Sequence, residues 1–513
     1  IENADNYTEY TYGTELALPT GQAITREGYE FLGWYETADF TGSPVIALAA
    51  DSLFDDEPVF YAKWRERHAC ADCAEAHDAI ENWIPWENSA GLPECTKLPE
   101  SGGNYYLIAD VNLTDVWAAA KGTTVNLCLN GHTIRQTKAG AGVISVIGTG
   151  TELAVFDCSA GMAGRITGGK AASATAGGGI TVGGTGGSGS LKLYGGRITG
   201  NEAPNGGGIF VTGTSSTLLV DGGIIESNTA AGTTSTTGRG GGIYAANGSV
   251  VLSGGEITGN QGNQGGGVGV GGGSVEMTGG MVTGNTANQG GGVYTTGSTA
   301  RFTMNGGNIA DNTTAGNGGG LHAASSSTPI INGGAVSGNK AAGNGGGIYG
   351  ATTKMQIMGG TISGNASEGE GGGIFYGGNF TMSGGAVYAN TAGGAVNNLA
   401  AASATYTASL EGGLILGGLG GKGKYQYGSE TYPMYSGEIT GTLGGEIISK
   451  EGEAPEAAVL GARAGDILYA DPAKEITSAA DGKIYKGIYL EPAEPDGIGT
   501  WSFRWVPYIG AKY

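Results

Sequence analysis

A single short repeat constrains the fold of this chain more than any other feature of its sequence. The unit Gly-Gly-x-Ile/Val-x-x-Asn ends at eight asparagines, which are Asn201, Asn228, Asn260, Asn285, Asn312, Asn339, Asn365 and Asn390. Successive asparagines are 27, 32, 25, 27, 27, 26 and 25 residues apart. A period of this length holds one supersecondary unit, which becomes stable only when it stacks on neighbouring copies.

Each repeat contains three short runs with the two-residue alternation of a β-strand. One run is the Gly-Gly-x-Ile/Val unit, another follows Gly-Gly-Gly, as at Ile243, and the third resembles Val275-Glu276-Met277. None of the three is long enough for a helix. Three strands per repeat predict an all-β fold, a right-handed parallel β-helix with one coil for every 25 to 27 residues.

Glycine and asparagine have structural roles in such a fold. The chain has 106 glycines among its 513 residues, and glycine permits the sharp corners and close backbone approach that stacked coils require. The asparagine that ends each repeat is predicted to form an internal amide ladder, in which each side chain bonds to those of the neighbouring coils.

Charge and composition divide the chain into segments. Residues 1–100 hold 20 acidic and 5 basic residues, whereas residues 101–400 hold 12 and 11. We predict a module at 1–65, a Cys/His-containing linker and N-terminal cap at 66–104, the β-helix at 105–439, and a C-terminal β-rich cap or accessory domain at 440–513. Within the last segment, the alternation over Thr500–Val506 predicts a strand.

Net charge and hydropathy exclude two classes of partner. The formal net charge of −21 repels phosphate backbones and anionic lipid headgroups, so nucleic acid is not an expected partner. No run of 18 or more apolar residues occurs, so no membrane insertion is expected.

The N-terminal residues carry a recognisable pattern of aromatic residues and glycines. The segment from Arg26 to Tyr35 reads Arg-Glu-Gly-Tyr-Glu-Phe-Leu-Gly-Trp-Tyr, and it is followed by Pro44-Val45 and by Phe-Tyr-Ala-Lys-Trp at 60–64. This pattern resembles the Listeria-Bacteroides repeat, the internalin-type B-repeat, a small β-grasp-like module. The resemblance implies a bacterial protein that is secreted or attached to the cell wall, and it does not itself imply catalysis.

The next segments resemble a second group of surface proteins. Trp-Ile-Pro-Trp at 83–86, Gly-Asn-Tyr-Tyr-Leu at 103–107 and the run at 125–134 are similar to the first coils of adhesin-like β-helix proteins from gut Firmicutes. The Gly-Gly-x-Ile units resemble repeats of polymorphic outer-membrane proteins and autotransporter passengers. This resemblance implies the architecture more strongly than the function, because that architecture hosts lyases, hydrolases and adhesins alike.

Four potential metal ligands lie within ten residues of the predicted linker. They are His68, Cys70, Cys73 and His77, and two thiolates with two imidazoles suit a closed tetrahedral zinc site. The alternative is a disulfide between Cys95 and either Cys70 or Cys73. A structural zinc ion is the only cofactor that the sequence predicts.

Two further cysteines lie one coil apart near predicted strand ends. This spacing predicts that Cys128 and Cys158 lie in adjacent coils, either as stacked thiols or joined by an inter-coil disulfide.

One column of aromatic residues is a candidate ligand-binding surface. The residue after each Gly-Gly-Gly-apolar unit falls in this column, which contains Phe210, Tyr244, Tyr294, His322, Tyr349 and Phe375, with Gly269 interrupting it. Strand alternation predicts that these side chains point to the solvent side. The stripe could be a platform on which a glycan stacks, or an outer stack that only stabilises strand pairing or docks the terminal segment of the chain.

The leading functional hypothesis is an adhesin-like protein of the bacterial surface. Its β-helix would be a stiff stalk or a surface that binds a glycan or a host or bacterial surface protein. The acidic residues of the repeats fall in different columns, and Glu368 and Glu370 lie in a glycine loop, so no catalytic pair is evident. The alternatives are a carbohydrate-active enzyme, either a glycoside hydrolase or a polysaccharide lyase, and a structural component of an extracellular fibre.

Overall fold

The structure of this chain is a computed structural model, and its described residues contain β-strands and no helix. The described residues are 14–19, 24, 26, 29–49, 59–66, 80, 82–86, 96–234, 236–324, 326–351, 355–403, 405–416, 424–427, 430–433, 467–468, 476–477, 484–492 and 501–507. The chain divides into two compact units, one of residues 1–71 with 78–83 and one of residues 72–77 with 84–513.

The first unit is a small module of antiparallel strands. Tyr29–Tyr35 pairs with Tyr61–Glu66, and Leu16–Ala17 pairs with Ala47–Leu48. Half-buried aromatic residues of the sequence pattern form a cluster: the ring of Phe31 lies 5.4 Å from that of Trp34 and 5.3 Å from that of Trp64, both edge to face. Such ring contacts stabilise a domain too small to bury a large aliphatic core.

The second unit is a parallel β-solenoid of about 11 coils, which confirms the predicted fold class. The strands of the solenoid form three long sheets. In the part of the chain that the structure describes, sheet I has 11 strands, one for each coil, and they are all parallel: Trp117–Ala118, Ile144–Val146, Ile180–Val182, Ile209–Val211, Ile243–Ala245, Val268–Val270, Val293–Thr295, Leu321–Ala323, Ile348–Gly350, Ile374–Tyr376 and Leu399–Ala401.

Sheet II contributes two strands to most coils and has 24 strands among the described residues. They are Ile84–Trp86, Gly103–Leu107, Val111–Leu113, Thr124–Cys128, Thr133–Gln136, Glu152–Phe156, Arg165–Thr167, Ser190–Leu193, Arg197–Thr199, Thr217–Val220, Ile224–Glu226, Ser249–Leu252, Glu256–Thr258, Ser274–Met277, Met281–Thr283, Arg301–Met304, Asn308–Ala310, Thr328–Ile331, Ala335–Ser337, Gln356–Ser363, Phe380–Tyr388, Thr407–Leu416, Lys424–Tyr427 and Glu430–Pro433.

Sheet III was not anticipated from the alternating runs. Its nine described strands are Glu202–Ala203, Thr229–Ala230, Gln261–Gln264, Thr286–Gln289, Thr313–Thr314, Lys340–Ala341, Ala366–Ser367, Thr391–Ala392 and Ala395–Val396. A typical coil therefore has four short strands instead of the predicted three. The fourth strand follows the repeat asparagine, and its polar residues carry no alternating apolar pattern from which it could be recognised.

The C-terminal described strands form a separate antiparallel sheet. Ile467–Leu468, Ile476–Thr477 and Trp501–Pro507 each pair with Ile484–Pro492. The strand predicted over Thr500–Val506 is thus present as Trp501–Pro507.

The core of the solenoid is a set of stacked apolar columns. In one coil Ile243, Val250 and Ile257 point inward and are at most 2% exposed, and equivalent residues lie above and below them. Burying each such side chain stabilises the fold by about 1.5–3 kcal/mol. The sequence alternation therefore places every inward residue on its own counterpart in the next coil.

The Gly-Gly pair of each repeat bends sheet II between its two strands. Its second glycine has a positive φ, as at Gly223 (72°), Gly255 (71°) and Gly280 (72°). A Cβ atom on Gly255 would lie 2.6 Å from the carbonyl oxygen of Gly222 in the preceding coil. Only glycine combines this backbone conformation with so close an approach between coils.

The predicted amide ladder is confirmed. The Nδ2 atom of Asn260 donates to Oδ1 of Asn285 (3.0 Å) and to the carbonyl oxygen of Ile225 (2.8 Å), and the backbone N–H of Asn260 donates to the same Oδ1 (2.9 Å). The pattern repeats from Asn201 to Asn390, where Asn398 accepts the last of these bonds. The ladder satisfies buried polar groups that would otherwise be costly inside an apolar core.

Candidate functional site

The predicted aromatic column lies on sheet I, at the middle residue of successive strands. Phe210 and Tyr244 are register partners in neighbouring coils, and their ring centroids are 5.5 Å apart. Gly269 follows Tyr244 in the register and precedes Tyr294, so it interrupts the column as expected.

Four rings in the second half of the column form a continuous stack. The centroid of Tyr294 lies 5.0 Å from that of His322, which lies 4.6 Å from that of Tyr349. The rings of Tyr349 and Phe375 are 5.4 Å apart and nearly parallel, with an interplanar angle of 7°. In-register parallel pairing sets these distances, because it places equivalent residues of neighbouring coils one strand spacing apart. That spacing is close to the centroid separation at which aromatic rings pack favourably.

The rings are more buried than the prediction of a solvent-facing stripe implied. The exposed fractions are 4% for Phe210, 7% for Tyr244, 8% for Tyr294, 9% for His322 and 5% for Phe375, and Tyr349 is half-buried. Each ring covers its neighbours, and a side chain at this position lies against the corner of the preceding coil. A Cβ atom on Gly269 would lie 3.1 Å from the Tyr244 ring and 3.3 Å from the backbone of Arg239. This burial favours the packing interpretation, while ligand binding by the column stays a prediction.

A column of polar side chains borders the rings at the corner that leads into sheet I. It consists of the residue before the Gly-Gly-Gly corner in seven successive coils: Asn205, Arg239, Gln264, Gln289, Asn317, Asn344 and Glu370. All are half-buried except Asn205, which is buried. We call these residues the corner column.

The corner column links the backbones of successive coils. Oδ1 of Asn317 accepts from the backbone N–H of Asn344 (2.8 Å), and Oδ1 of Asn344 accepts from the N–H of Glu370 (2.7 Å). Oε1 of Gln289 accepts in the same way from the N–H of Asn317 (3.2 Å). The corner is therefore a second hydrogen-bonded ladder, and it lies nearer the surface than the buried asparagine ladder.

The rings and the corner column are in direct contact. Nη1 of Arg239 donates to the hydroxyl of Tyr244 (3.1 Å), and its Nε donates to Oε1 of Gln264 (3.0 Å). Nδ1 of His322 lies 3.3 Å from the carbonyl oxygen of Asn317. Together they form one strip, in which apolar ring edges lie beside amide and guanidinium groups.

Burial controls the protonation of the strip. Desolvation lowers the pKa of His322 from its ordinary value of 6.5 to about 4, although the contact with the Asn317 carbonyl opposes this shift. Desolvation also raises the pKa values of the Tyr294 and Tyr349 hydroxyls. All three rings are therefore neutral near pH 7, and the strip presents its fixed charge only through Arg239 and Glu370.

The corner column was missed in the sequence analysis, although a signal for it exists. A polar or charged residue precedes Gly-Gly-Gly in seven successive repeats. The glycines account for the corner by their conformation alone, so the sequence gives no reason to single out the residue before them. Its position beside the rings becomes evident only from the contacts with them, and each ring is five residues further along the chain.

Two carboxylates of the repeats bond to an arginine and to an asparagine side chain. Glu226 pairs with Arg197 at 3.0 Å, and Glu276 accepts a hydrogen bond from Asn305 at 2.8 Å. Across the described residues no group of three His, Cys, Asp or Glu side chains is close enough to hold a metal ion. The predicted zinc ligands His68, Cys70, Cys73 and His77 lie outside the described residues, so the zinc site stays a prediction.

The two cysteines of the first coils are brought together. Sγ of Cys128, which is fully buried, lies 3.1 Å from Sγ of Cys158, which is half-buried. They are two thiols in contact in this structure.

Comparison with known families identifies the first unit. Residues 2–63 match the family model of the Listeria-Bacteroides repeat domain. Comparisons with curated proteins and with solved structures gave no match. In the described part of the chain, no helix combines the length and apolarity of a membrane span. The chain therefore joins a Listeria-Bacteroides repeat domain to a parallel β-solenoid.

Proposed function

We propose that this chain belongs to an adhesin-like protein of the bacterial surface, secreted or attached to the cell wall, whose β-helix binds a glycan or a surface protein. The Listeria-Bacteroides repeat supports the location, because this domain is typical of extracellular and surface proteins. The solenoid supports the role, since it holds a long row of equivalent side chains on a rigid frame.

The observation that carries the proposal is the strip of rings and corner residues. The stack from Tyr294 to Phe375 extends about 15 Å, which is the length of a short oligosaccharide. Carbohydrate sites combine apolar contacts with a few polar groups that fix orientation. Tyr349 is the most exposed ring of the column, and Asn344 and Glu370 lie half-buried at the adjoining corner.

A glycan-array screen of the whole chain tests the proposal, with product analysis on every glycan that binds. The Tyr294→Ala/Tyr349→Ala variant removes two rings of the strip. The Tyr194→Ala variant is the matched control, because Tyr194 is a half-buried ring stacked at 5.0 Å on Phe156 of sheet II. Circular dichroism and thermal unfolding of each variant separate loss of binding from loss of fold.

Three outcomes distinguish the functional classes. Binding without products, weakened at least about tenfold in the double variant and unchanged in the control, supports an adhesin. Equal binding by wild type and both variants overturns the assignment to the strip. Products released from a polysaccharide favour the carbohydrate-active enzyme, whereas concentration-dependent self-association without glycan binding favours a component of an extracellular fibre.

A further inference from the structure

We infer that Cys128 and Cys158 are a modification site, at which the two thiols are oxidised to a disulfide that joins neighbouring coils. Cys128 ends the strand Thr124–Cys128, whose register partner is Glu152–Phe156, and Cys158 lies two residues beyond Phe156. The parallel register thus brings two residues 30 positions apart to a distance of 3.1 Å between sulfur atoms. This proximity is a property of adjacent coils, and the sulfur atoms need to approach by about 1 Å to form the bond.

The corner that carries Cys158 is held in place by a buried carboxylate. Asp157 is 1% exposed, and its oxygens accept from the backbone N–H groups of Gly131 (2.8 Å), Ser159 (3.2 Å) and Gly164 (2.6 Å). Gly131 lies in the coil of Cys128, so the same carboxylate ties both cysteine-bearing corners together. The pair is therefore preorganised, and little conformational entropy is lost when the bond forms.

The difference in exposure between the two cysteines indicates which of them reacts first with the disulfide donor. The half-buried Cys158 thiolate attacks a disulfide donor, such as oxidised glutathione or a thiol–disulfide oxidoreductase, and one donor thiolate leaves. The Cys128 thiolate then attacks the sulfur of Cys158, and the second donor thiolate leaves. Two protein thiols lose two electrons to the donor disulfide, and their two protons end on the two released donor thiols.

The bond would add a covalent link between coils that lie before the first strand of sheet III. Among the described residues, that strand is Glu202–Ala203. At the corresponding corner, the coils of Cys128 and Cys158 are joined by two backbone hydrogen bonds, from Lys170 to Ala141 (2.8 Å) and from Ala172 to Gly140 (3.2 Å). The presence of the disulfide in the native protein rests on the proposed extracellular location, because cytosolic thiols are kept reduced.

The test uses the full chain with Cys70, Cys73 and Cys95 replaced by serine, so that only the pair remains. The protein is equilibrated in oxidised and reduced glutathione, denatured, alkylated and mapped by mass spectrometry. The expected result is a linked peptide pair that takes up no alkyl groups, and two alkyl groups after reduction. Alkylation of both cysteines after oxidising equilibration would overturn the inference.

Single variants and exchange measurements complete the test. With Cys128→Ser, Cys158 is expected to retain glutathione as a mixed disulfide, whereas with Cys158→Ser the buried Cys128 is expected to remain unmodified. Amides of residues 129–164 should exchange at least about tenfold more slowly in the oxidised chain, and equal rates would contradict a clamp. Because the redox buffer is set in vitro, failure here is distinct from failure of the proposed location, which is tested by finding the protein on cells.

Discussion

At the scale of single residues, each buried asparagine of the ladder makes several hydrogen bonds through one small side chain. Asn285 accepts from the backbone N–H and the Nδ2 of Asn260, and its own Nδ2 donates to Ile257, Thr283 and Asn312. It is fully buried, so water cannot replace these partners. The side chain therefore specifies the coil conformation on both sides of itself.

We expect Asn285→Ala to lower the free energy of unfolding by at least about 3 kcal/mol, because several buried polar groups lose their partners together. Asn305→Ala is the matched control: Asn305 also bonds to the neighbouring coils, through Glu276 and Asn332, but it is exposed. The control should cost about 0.5 kcal/mol or less. Denaturant unfolding measures both, and equal losses would show that the ladder adds nothing beyond a surface contact.

The depressed pKa of His322 makes part of the stability depend on pH. Its folded-state pKa of about 4 lies below the ordinary 6.5, so between these values the unfolded chain binds more protons than the folded chain. Stability should therefore fall as the pH drops from about 6.5 towards 4, by about 3 kcal/mol from this residue. His322→Tyr, which repeats the ring type of its neighbours, should remove that part of the decline. Parallel curves of unfolding free energy against pH for the two proteins would contradict this prediction.

The zinc prediction for the linker is tested by metal analysis. The purified chain is expected to bind about one zinc ion, and Cys70→Ser/Cys73→Ser should lose it, because thiolates are the strongest ligands of the set. Cys128→Ser/Cys158→Ser removes the same number of thiols elsewhere and should retain the metal. A disulfide from Cys95 to Cys70 or Cys73 in the native protein would instead support the alternative.

At the scale of the coil, the glycines are constrained for different reasons. Gly242, the third of a Gly-Gly-Gly corner, would place a Cβ atom 2.8 Å from the carbonyl oxygen of Gly267. Gly259, which precedes a ladder asparagine, has a positive φ of 60°, but its Cβ direction is open to 3.9 Å. Ser227 and Ala389 hold the equivalent position in other coils with φ of 53° and 52°. At Gly242 a Cβ atom would have no room, whereas at Gly259 only the positive φ angle favours glycine.

This difference predicts unequal effects of the same substitution. Gly242→Ala should destabilise the chain by at least about 2 kcal/mol, because the coils above and below cannot separate without breaking their ladders. Gly259→Ala should cost about 1 kcal/mol, the ordinary penalty for a left-handed residue. Thermal unfolding of the two variants decides between these values, and an equal loss would refute the steric argument.

At the scale of the whole molecule, the solenoid is a stack in which each coil contacts its neighbours. Stability in such a stack is close to a sum over adjacent interfaces, so the coils at the ends have less support than those inside. In sheet I, Val268–Val270 has partners on both sides, whereas Trp117–Ala118 and Leu399–Ala401 end the sheet.

Hydrogen exchange should follow this order. Amides of Val268–Val270 are expected to exchange at least about tenfold more slowly than those of Trp117–Ala118 and Leu399–Ala401, because opening the interior strand breaks two interfaces. Exchange followed by mass spectrometry on peptic fragments measures the difference. Uniform rates along sheet I would mean that the solenoid opens as one cooperative unit.

The sequence by itself determined the solenoid, the ladder and the N-terminal module. Period, glycine corners and alternation are local signals, and in-register stacking turns each of them into a column, so Asn260 above Asn285 follows from spacing alone. The match of residues 2–63 rests on an equally local pattern. Only the tertiary structure decided the third sheet, the burial of the rings and the contact of Arg239 with Tyr244, because these depend on how one coil covers the corner of another. Alternation tells on which side of a strand a residue lies, whereas its exposure is determined by neighbours that are distant in the sequence.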